Sequence, residues 1–113
     1  MITVSIRNNA ERRFLRLKVK GHSGQAEIGQ DIVCASASIL AYTVAQIVKD
    51  MEAQDSTAFV YKPIIKLESG DATVTCKCKT DIAYFEVINA LNVAQVGYSL
   101  LAHNYPQYVE LKH

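Results

Sequence analysis

The sequence lacks an excess of charge of either sign, since twelve basic and eleven acidic side chains give a formal net charge of +1. This balance predicts no bulk attraction to nucleic acid or to an anionic membrane surface. The segment Met1–Arg7 lacks the charged start and long apolar region of a signal peptide. The most apolar stretch, Ile32–Val48, is interrupted by polar residues and is shorter than the ~20 residues that cross a bilayer. We therefore expect no membrane span and no direct nucleic-acid binding.

Internal repeats, low-complexity tracts and linkers are also missing, and only three of the 113 residues are cysteines. An odd number of cysteines without export features predicts a cytoplasmic protein with reduced thiols. Half of the residues are hydrophobic, which allows a packed core and argues against a disordered chain. The length suits one domain, residues 1–113, with one core.

Hydrophobic periodicity predicts two strands and then a helix in the first half of the chain. Ile2–Arg7 and Leu15–Lys20 alternate apolar with polar side chains, as the half-buried strands of a hairpin do. From Asp31 to about Glu52 the pattern is helical and apolar on most sides, which is typical of a helix covered by more than one layer.

The second half of the chain predicts strands, a helix and a final strand. Phe59–Leu67 has strand character interrupted by Pro63, and the alternation in Val74–Cys78 predicts another strand. A helix is expected over Asp81–Ala102 with Asp81 as its cap, followed by a short strand at Val109–Leu111. This order predicts an α+β fold with two main helices packed on a largely antiparallel β-sheet.

His22 and Cys34 are the two side chains with the clearest chemical potential. His22 lies between glycines just after a predicted strand, and Cys34 follows Asp31, a good N-cap at the expected helix start. With Asp31 as the N-cap, Cys34 is the third helical residue, near the positive end of the helix dipole, which favours a thiolate. A nearby imidazole can take the thiol proton. The alternative is that Cys34 is a small buried hydrophobe, as most free cysteines are.

The segment Ser23–Gln30 is predicted to be a loop that joins these two residues. Gly24 and Gly29 punctuate it, and Gly21 precedes His22, so these three glycines are expected to act as loop hinges. We expect the loop to be a mobile cover that orders when an extended peptide binds. Backbone N–H groups at the helix start, that of Cys34 included, are candidate oxyanion donors.

One set of residues across the loop and the helix start resembles the Prp family of ribosomal-processing cysteine proteases; it comprises Gly21–Ala26, Gly29, Asp31–Ala35 and Ser38. Length and element order are also similar over essentially the whole chain. The resemblance implies that His22 is the base and Cys34 the nucleophile. Asp31 and Ser38 are expected in supporting or helix-capping positions, and the alternative role for Asp31 is to orient His22. The resemblance implies a substrate, a large-subunit ribosomal protein whose N-terminal extension is cut after a short apolar segment ending in an aromatic residue. It also implies a homodimer.

Two other function classes remain open from the residues alone. One is a non-enzymatic binding module that assists ribosome assembly, in which Cys34 is structural. The other is a metal-binding protein that uses His22 and Cys34, although two ligands are too few for a stable site. We expect neither a metal nor a cofactor.

Several further features have structural interpretations. Cys76 and Cys78 are spaced unlike a CxxC motif and are expected to face the core, and His103 is expected near a helix end. The strip Arg16–Lys20 predicts a solvated sheet face, with a docking rim for a ribosomal substrate as the alternative. The second predicted helix has an apolar stripe that is expected to face the core, and part of this stripe is an alternative candidate for a dimer interface. The stripe comprises Val87, Leu91, Ala94, Tyr98 and Leu101.

Overall fold

The computed structural model describes the backbone of residues 1–22 and 28–112, and their side chains except those of residues 28–31. Two long helices and one sheet form in these residues, which confirms the predicted α+β fold. The elements are β1 (Ile2–Asn9), β2 (Phe14–Lys20), α1 (Ile28–Gln54), a short 3-10 helix (Ser56–Ala58), β3 (Ile64–Glu68), β4 (Asp71–Lys77), α2 (Asp81–Asn104) and β5 (Val109–Lys112).

The five strands lie side by side in the order β3-β4-β2-β1-β5. All neighbours are antiparallel except β5, which runs parallel to β1. Each helix therefore joins two strands that run in the same direction, because α1 connects β2 to β3 and α2 connects β4 to β5. The sheet is largely antiparallel, as the order of the elements predicts, and the parallel pair of β1 and β5 makes it a mixed sheet.

The core lies between one face of the sheet and the two helices. Alternate residues of β1, Ile2, Val4 and Ile6, are buried on this face, as strand geometry requires. Cys76 and Cys78 are each 1% exposed and lie in the same core, which confirms their structural interpretation. The predicted stripe of α2 is also core: Val87, Leu91, Ala94 and Tyr98 are buried, and Leu101 is partly buried.

The helix α1 packs with a face of small and β-branched residues, among them Val33, Ala37 and Ala41. The Tyr98 hydroxyl of α2 donates a hydrogen bond to the Ala37 carbonyl oxygen at 2.9 Å. Burial raises the pKa of Tyr98, so this phenol stays a neutral donor. The hydrogen bond holds α2 against the turn of α1 that follows Cys34.

The outer side of α1 is more exposed than the sequence predicts, since Ile32 and Ile39 are 50% and 61% exposed. Ile32–Gln54 is long and apolar enough to cross a membrane, a criterion that the core helix of a folded domain also meets. Here the inner side of this helix is part of the core between the helices and the sheet.

The helix α1 begins at Ile28, three residues before the predicted start. The prediction that Asp31 is the N-cap is therefore wrong, and Asp31 is the fourth residue of the helix. Gly29 is helical, so its prediction as a loop hinge is also wrong. An aspartate is favourable both at an N-cap and in a first helical turn, which is why its presence alone misplaced the boundary.

Two boundaries in the second half also differ from the prediction. The strand β3 begins at Ile64, directly after Pro63, because proline has no N–H to donate to a strand ladder; Phe59 contributes only an isolated bridge to Cys78. The N-cap of α2 is Thr80 rather than Asp81. The Thr80 hydroxyl oxygen accepts a hydrogen bond from the Ala83 N–H at 3.1 Å.

Candidate active site

The candidate active site is a cavity of about 250 Å³ at one end of the sheet. The end of β2, the turn between β3 and β4, and α1 form its walls. His22 and Cys34 both line this cavity, and so does Ser38. The fold thus brings together the imidazole and the thiol that the sequence singles out.

Gly21 sets the path of the backbone into His22. Its φ of +107° lies in the region that favours glycine, and a side chain here would collide with the carbonyl oxygen of Met1. The Gly21 N–H donates to the Gly70 carbonyl oxygen at 3.0 Å. The Met1 ammonium donates to the His22 carbonyl oxygen, also at 3.0 Å. Backbone contacts therefore hold the segment that carries His22.

Gly70 packs against the His22 imidazole, a contact that we call the shelf. It lies in the turn between β3 and β4 with a φ of +74°. A Cβ built on Gly70 would overlap the ring, including its Nε2 and Cε1 atoms. Only a residue without a side chain leaves room for the imidazole in this position.

Cys34 is the seventh residue of α1 and is partly buried against the core. The stabilising effect of a helix dipole on a charge falls off within the first turn. Cys34 lies beyond that turn, so the argument that the dipole favours its thiolate no longer holds. At this depth a backbone N–H bonds to the carbonyl four residues earlier. The prediction that the Cys34 N–H is a free oxyanion donor is therefore wrong.

Ser38 and Tyr42 lie on the same face of α1 as Cys34, because residues four apart in a helix are neighbours on its surface. All three line the cavity. Ser38 therefore lies where a supporting residue is expected. Tyr42 is absent from the sequence prediction, although its helical spacing from Cys34 would have pointed to it.

The opposite wall is the turn Glu68–Asp71, which the sequence identifies only as a turn. The Lys66 ammonium lies 2.9 Å from the Asp71 carboxylate and 3.7 Å from that of Glu68. The hydrogen bond from Lys66 lowers the pKa of Asp71, and the charge of Lys20 lowers it further. This wall is thus polar, and its Asp71 carboxylate stays ionised to a lower pH than an ordinary aspartate.

The remaining predicted residues lie elsewhere. Gly24 and most of the predicted loop, residues 23–27, fall outside the described residues. His103 occupies the last turn of α2, as expected. Within residues 1–22 and 28–112, no cluster of three or more His, Cys, Asp or Glu side chains is arranged to hold a metal ion.

A thiol and an imidazole that share one cavity are the side chains with which a cysteine protease works. A family model described as cysteine protease Prp matches residues 1–110, and the chain belongs to this family. No curated protein matches the chain.

Solved structures show the same fold. The crystal structure of the essential ribosomal processing protease Prp from S. aureus with a covalently linked product peptide superposes with a TM-score of 0.70. The two sequences are 23% identical, over 99% of this chain and 98% of that chain. The same S. aureus protein with a substrate peptide gives a TM-score of 0.68 at 20% identity, with 99% and 98% coverage. The protein SMU.848 from Streptococcus mutans gives 0.64 at 24% identity, with 99% and 92% coverage.

Proposed function

We propose that this protein is a cysteine endopeptidase that removes the N-terminal extension of a large-subunit ribosomal protein. Cys34 is the nucleophile and His22 the general base in this proposal. The observation that carries it is that both side chains line one cavity in a member of a cysteine protease family. The chemistry operates in a reducing cytoplasm, where a catalytic thiol stays reduced.

The reaction follows the order required for a thiol nucleophile. His22 takes the proton of Cys34, and the thiolate sulfur attacks the scissile carbonyl carbon. The tetrahedral intermediate collapses with cleavage of the C–N bond, and the imidazolium gives its proton to the leaving amine. Water, deprotonated by His22, then attacks the thioester, which releases the acid and restores the thiol.

The shape and lining of the cavity support an extended peptide as substrate. Its volume of about 250 Å³ is below the ~300–1,000 Å³ of ordinary ligand pockets, so it suits a side chain of a peptide rather than a whole ligand. Ile2, Val19 and Tyr42 supply apolar surface. This lining is compatible with cleavage after an apolar segment that ends in an aromatic residue. The S. aureus relative was crystallised with substrate and product peptides.

A peptide that spans the extension and the cut site tests this function. Wild-type protein should cleave it, and Cys34→Ser should fold normally but leave it intact, because a hydroxyl is far less readily ionised than a thiol. Ser36→Ala is the matched control, because Ser36 is on the same helix and its hydroxyl bonds to the Ile32 carbonyl. Full cleavage by Cys34→Ser would contradict the nucleophile assignment. If the wild type binds the peptide stably but does not cleave it, the alternative function of a non-enzymatic binding module that assists ribosome assembly would be favoured.

We also propose that the active form is a homodimer that packs through the outer faces of the helices. The stripe named from the sequence is core in this fold, so its Tyr98 cannot serve as a seam. The opposite side of α2 instead exposes a row of large apolar side chains, with a further one on α1. These residues are Phe85, Val93, Val96, Leu100 and Ile39, each between 58% and 72% exposed. A second copy would remove this surface from water.

A further inference from the structure

The sheet face opposite the helices is strongly basic, although the chain as a whole is nearly neutral. Cross-strand pairing places alternate residues of neighbouring strands on this face; for example, Arg7 pairs with Arg16, and Arg16 with Thr75. The same register assigns the other charged residues of the strands. The basic residues are Arg7, Arg16, Lys18, Lys20, Lys66, Lys77 and Lys112, and the acidic ones are Glu68, Asp71 and Glu110.

The charges on this face are also sorted along the strands. All three acidic residues lie in the cross-strand row that contains Thr3 and Lys20, at the end of the sheet near His22. The opposite end, around Arg7 and Phe14, contributes only basic and neutral side chains from the strands. The two ends are six residues apart along β1, which is about 20 Å.

A cavity of about 490 Å³ opens at this basic end. Its basic side chains are Arg7, Arg12 and Lys77, and its aromatic rings are Phe14 and Tyr61. No acidic residue is among those that line it. Among the acidic residues, Glu11 is the nearest in sequence to these lining residues, and it lies in the turn between β1 and β2.

One of the two aromatic rings, that of Tyr61, is exposed enough to stack on a base. Tyr61 is 40% exposed. The Arg16 guanidinium lies over the half-buried Phe14 ring, 5.2 Å from its centroid, and covers one of its faces. Asn8 and Asn9 add amide groups at the same rim. Stacking planes beside arginine side chains, on the open face of a sheet, are the features with which proteins hold unpaired nucleotides.

We propose that this basic end of the sheet binds single-stranded RNA. The arginines contact phosphates, and the Tyr61 ring stacks on a base. An acidic peptide would match the charge but would make no use of the exposed Tyr61 ring. The formal charge of the whole chain predicts no such binding because it averages over both faces, whereas the sheet register gathers the basic residues on one. The proposed site is independent of proteolysis, since it lies at the far end of the sheet from His22.

Binding can be measured by fluorescence anisotropy with a labelled mixed-sequence RNA of about 12 nucleotides, over a range of salt concentrations. Arg7→Gln and Arg12→Gln should each weaken binding by about three- to ten-fold at low salt and reduce the salt slope by roughly 0.7–1. Lys49→Gln removes the same charge from an exposed position on α1 and should change neither quantity.

Stacking has a different signature. Tyr61→Ala should weaken binding by about five-fold or more at every salt concentration with an unchanged salt slope, whereas Tyr61→Phe, which keeps the ring, should bind nearly as well as the wild type. Thermal melts establish that each variant is folded. The proposal is overturned if wild-type protein does not bind the RNA at low salt, if the arginine variants behave like Lys49→Gln, or if polyglutamate of equal length displaces the RNA at equal concentration.

Discussion

The His22 imidazole packs directly against Gly70, in the space that a side chain at position 70 would occupy. The two residues are distant in sequence, and the pairing of β2 with β4 brings them together. The same pairing joins the Gly21 N–H to the Gly70 carbonyl oxygen at 3.0 Å. One glycine thus contacts both the backbone before the histidine and the ring itself. The position of the candidate base depends on the turn between β3 and β4.

Gly70→Ala should therefore displace His22 and lower the cleavage rate by about ten-fold or more. The methyl group would overlap the ring, and the positive φ would cost the fold about 1–2 kcal/mol. Steady-state kinetics and thermal melts measure the two effects separately. Gly97→Ala is the matched control, since its methyl would meet only the end of the Leu40 side chain. Unchanged cleavage by Gly70→Ala would show that the shelf does not position the base.

His22→Ala should abolish most of the turnover and leave the melting temperature nearly unchanged. The imidazole is exposed, and the hydrogen bond at this residue uses its backbone carbonyl, which alanine keeps. His103→Ala, at the end of α2, is the matched control and should retain full activity. A large loss of stability in His22→Ala would instead indicate a structural histidine.

Cys34 should react with iodoacetamide well before the other two cysteines. It is partly exposed in a cavity, whereas Cys76 and Cys78 are each 1% exposed. The hydrogen bond with Cys78 and burial raise the pKa of Cys76. The same hydrogen bond lowers the pKa of Cys78, yet its burial keeps the reagent away. Partial labelling with peptide mapping checks the order, and equal labelling of all three would contradict this placement of Cys34.

A charge on the exposed stripe of α2 should prevent dimerisation. Val96→Glu places a carboxylate at a position that is 62% exposed in the single chain and buried in the proposed dimer, so the folded variant should sediment as a monomer. Val60→Glu is the control, because Val60 is 49% exposed and lies outside both helices. A wild-type protein that is monomeric at micromolar concentration would contradict the proposal.

The ion pair between Lys66 and Asp71 should make stability depend on pH in the acid range. The hydrogen bond from Lys66 holds the pKa of Asp71 below its ordinary value of 3.8. The pair therefore stabilises the fold above that pH, and the contribution is lost as the pH falls further. Urea denaturation at several pH values should show a weaker acid dependence in Lys66→Met than in the wild type. Lys49→Met should retain the wild-type dependence, and an identical profile for all three proteins would argue against this pair.

Local patterns in the sequence were sufficient to predict the two helices, the five strands and the α+β class, although the start of β3 was misplaced. Alternation along β1 and the stripe from Val87 to Tyr98 each report burial directly, because each element turns the same face to the core throughout its length. That His22 and Cys34 line one cavity was also predictable, since the segments that carry them resemble the Prp family. The start of α1 was not, because an aspartate suits the N-cap and the first turn alike.

Other features depended on contacts between residues far apart in sequence. No local pattern relates Gly70 to His22, because only the register between β2 and β4 brings them together. The same register places seven basic and three acidic side chains of the strands on one sheet face, with the acidic ones in the row beside the candidate active site. Composition determined the sum of the charges, and tertiary structure decided where they lie, because strand pairing sets the face and the row that each side chain occupies.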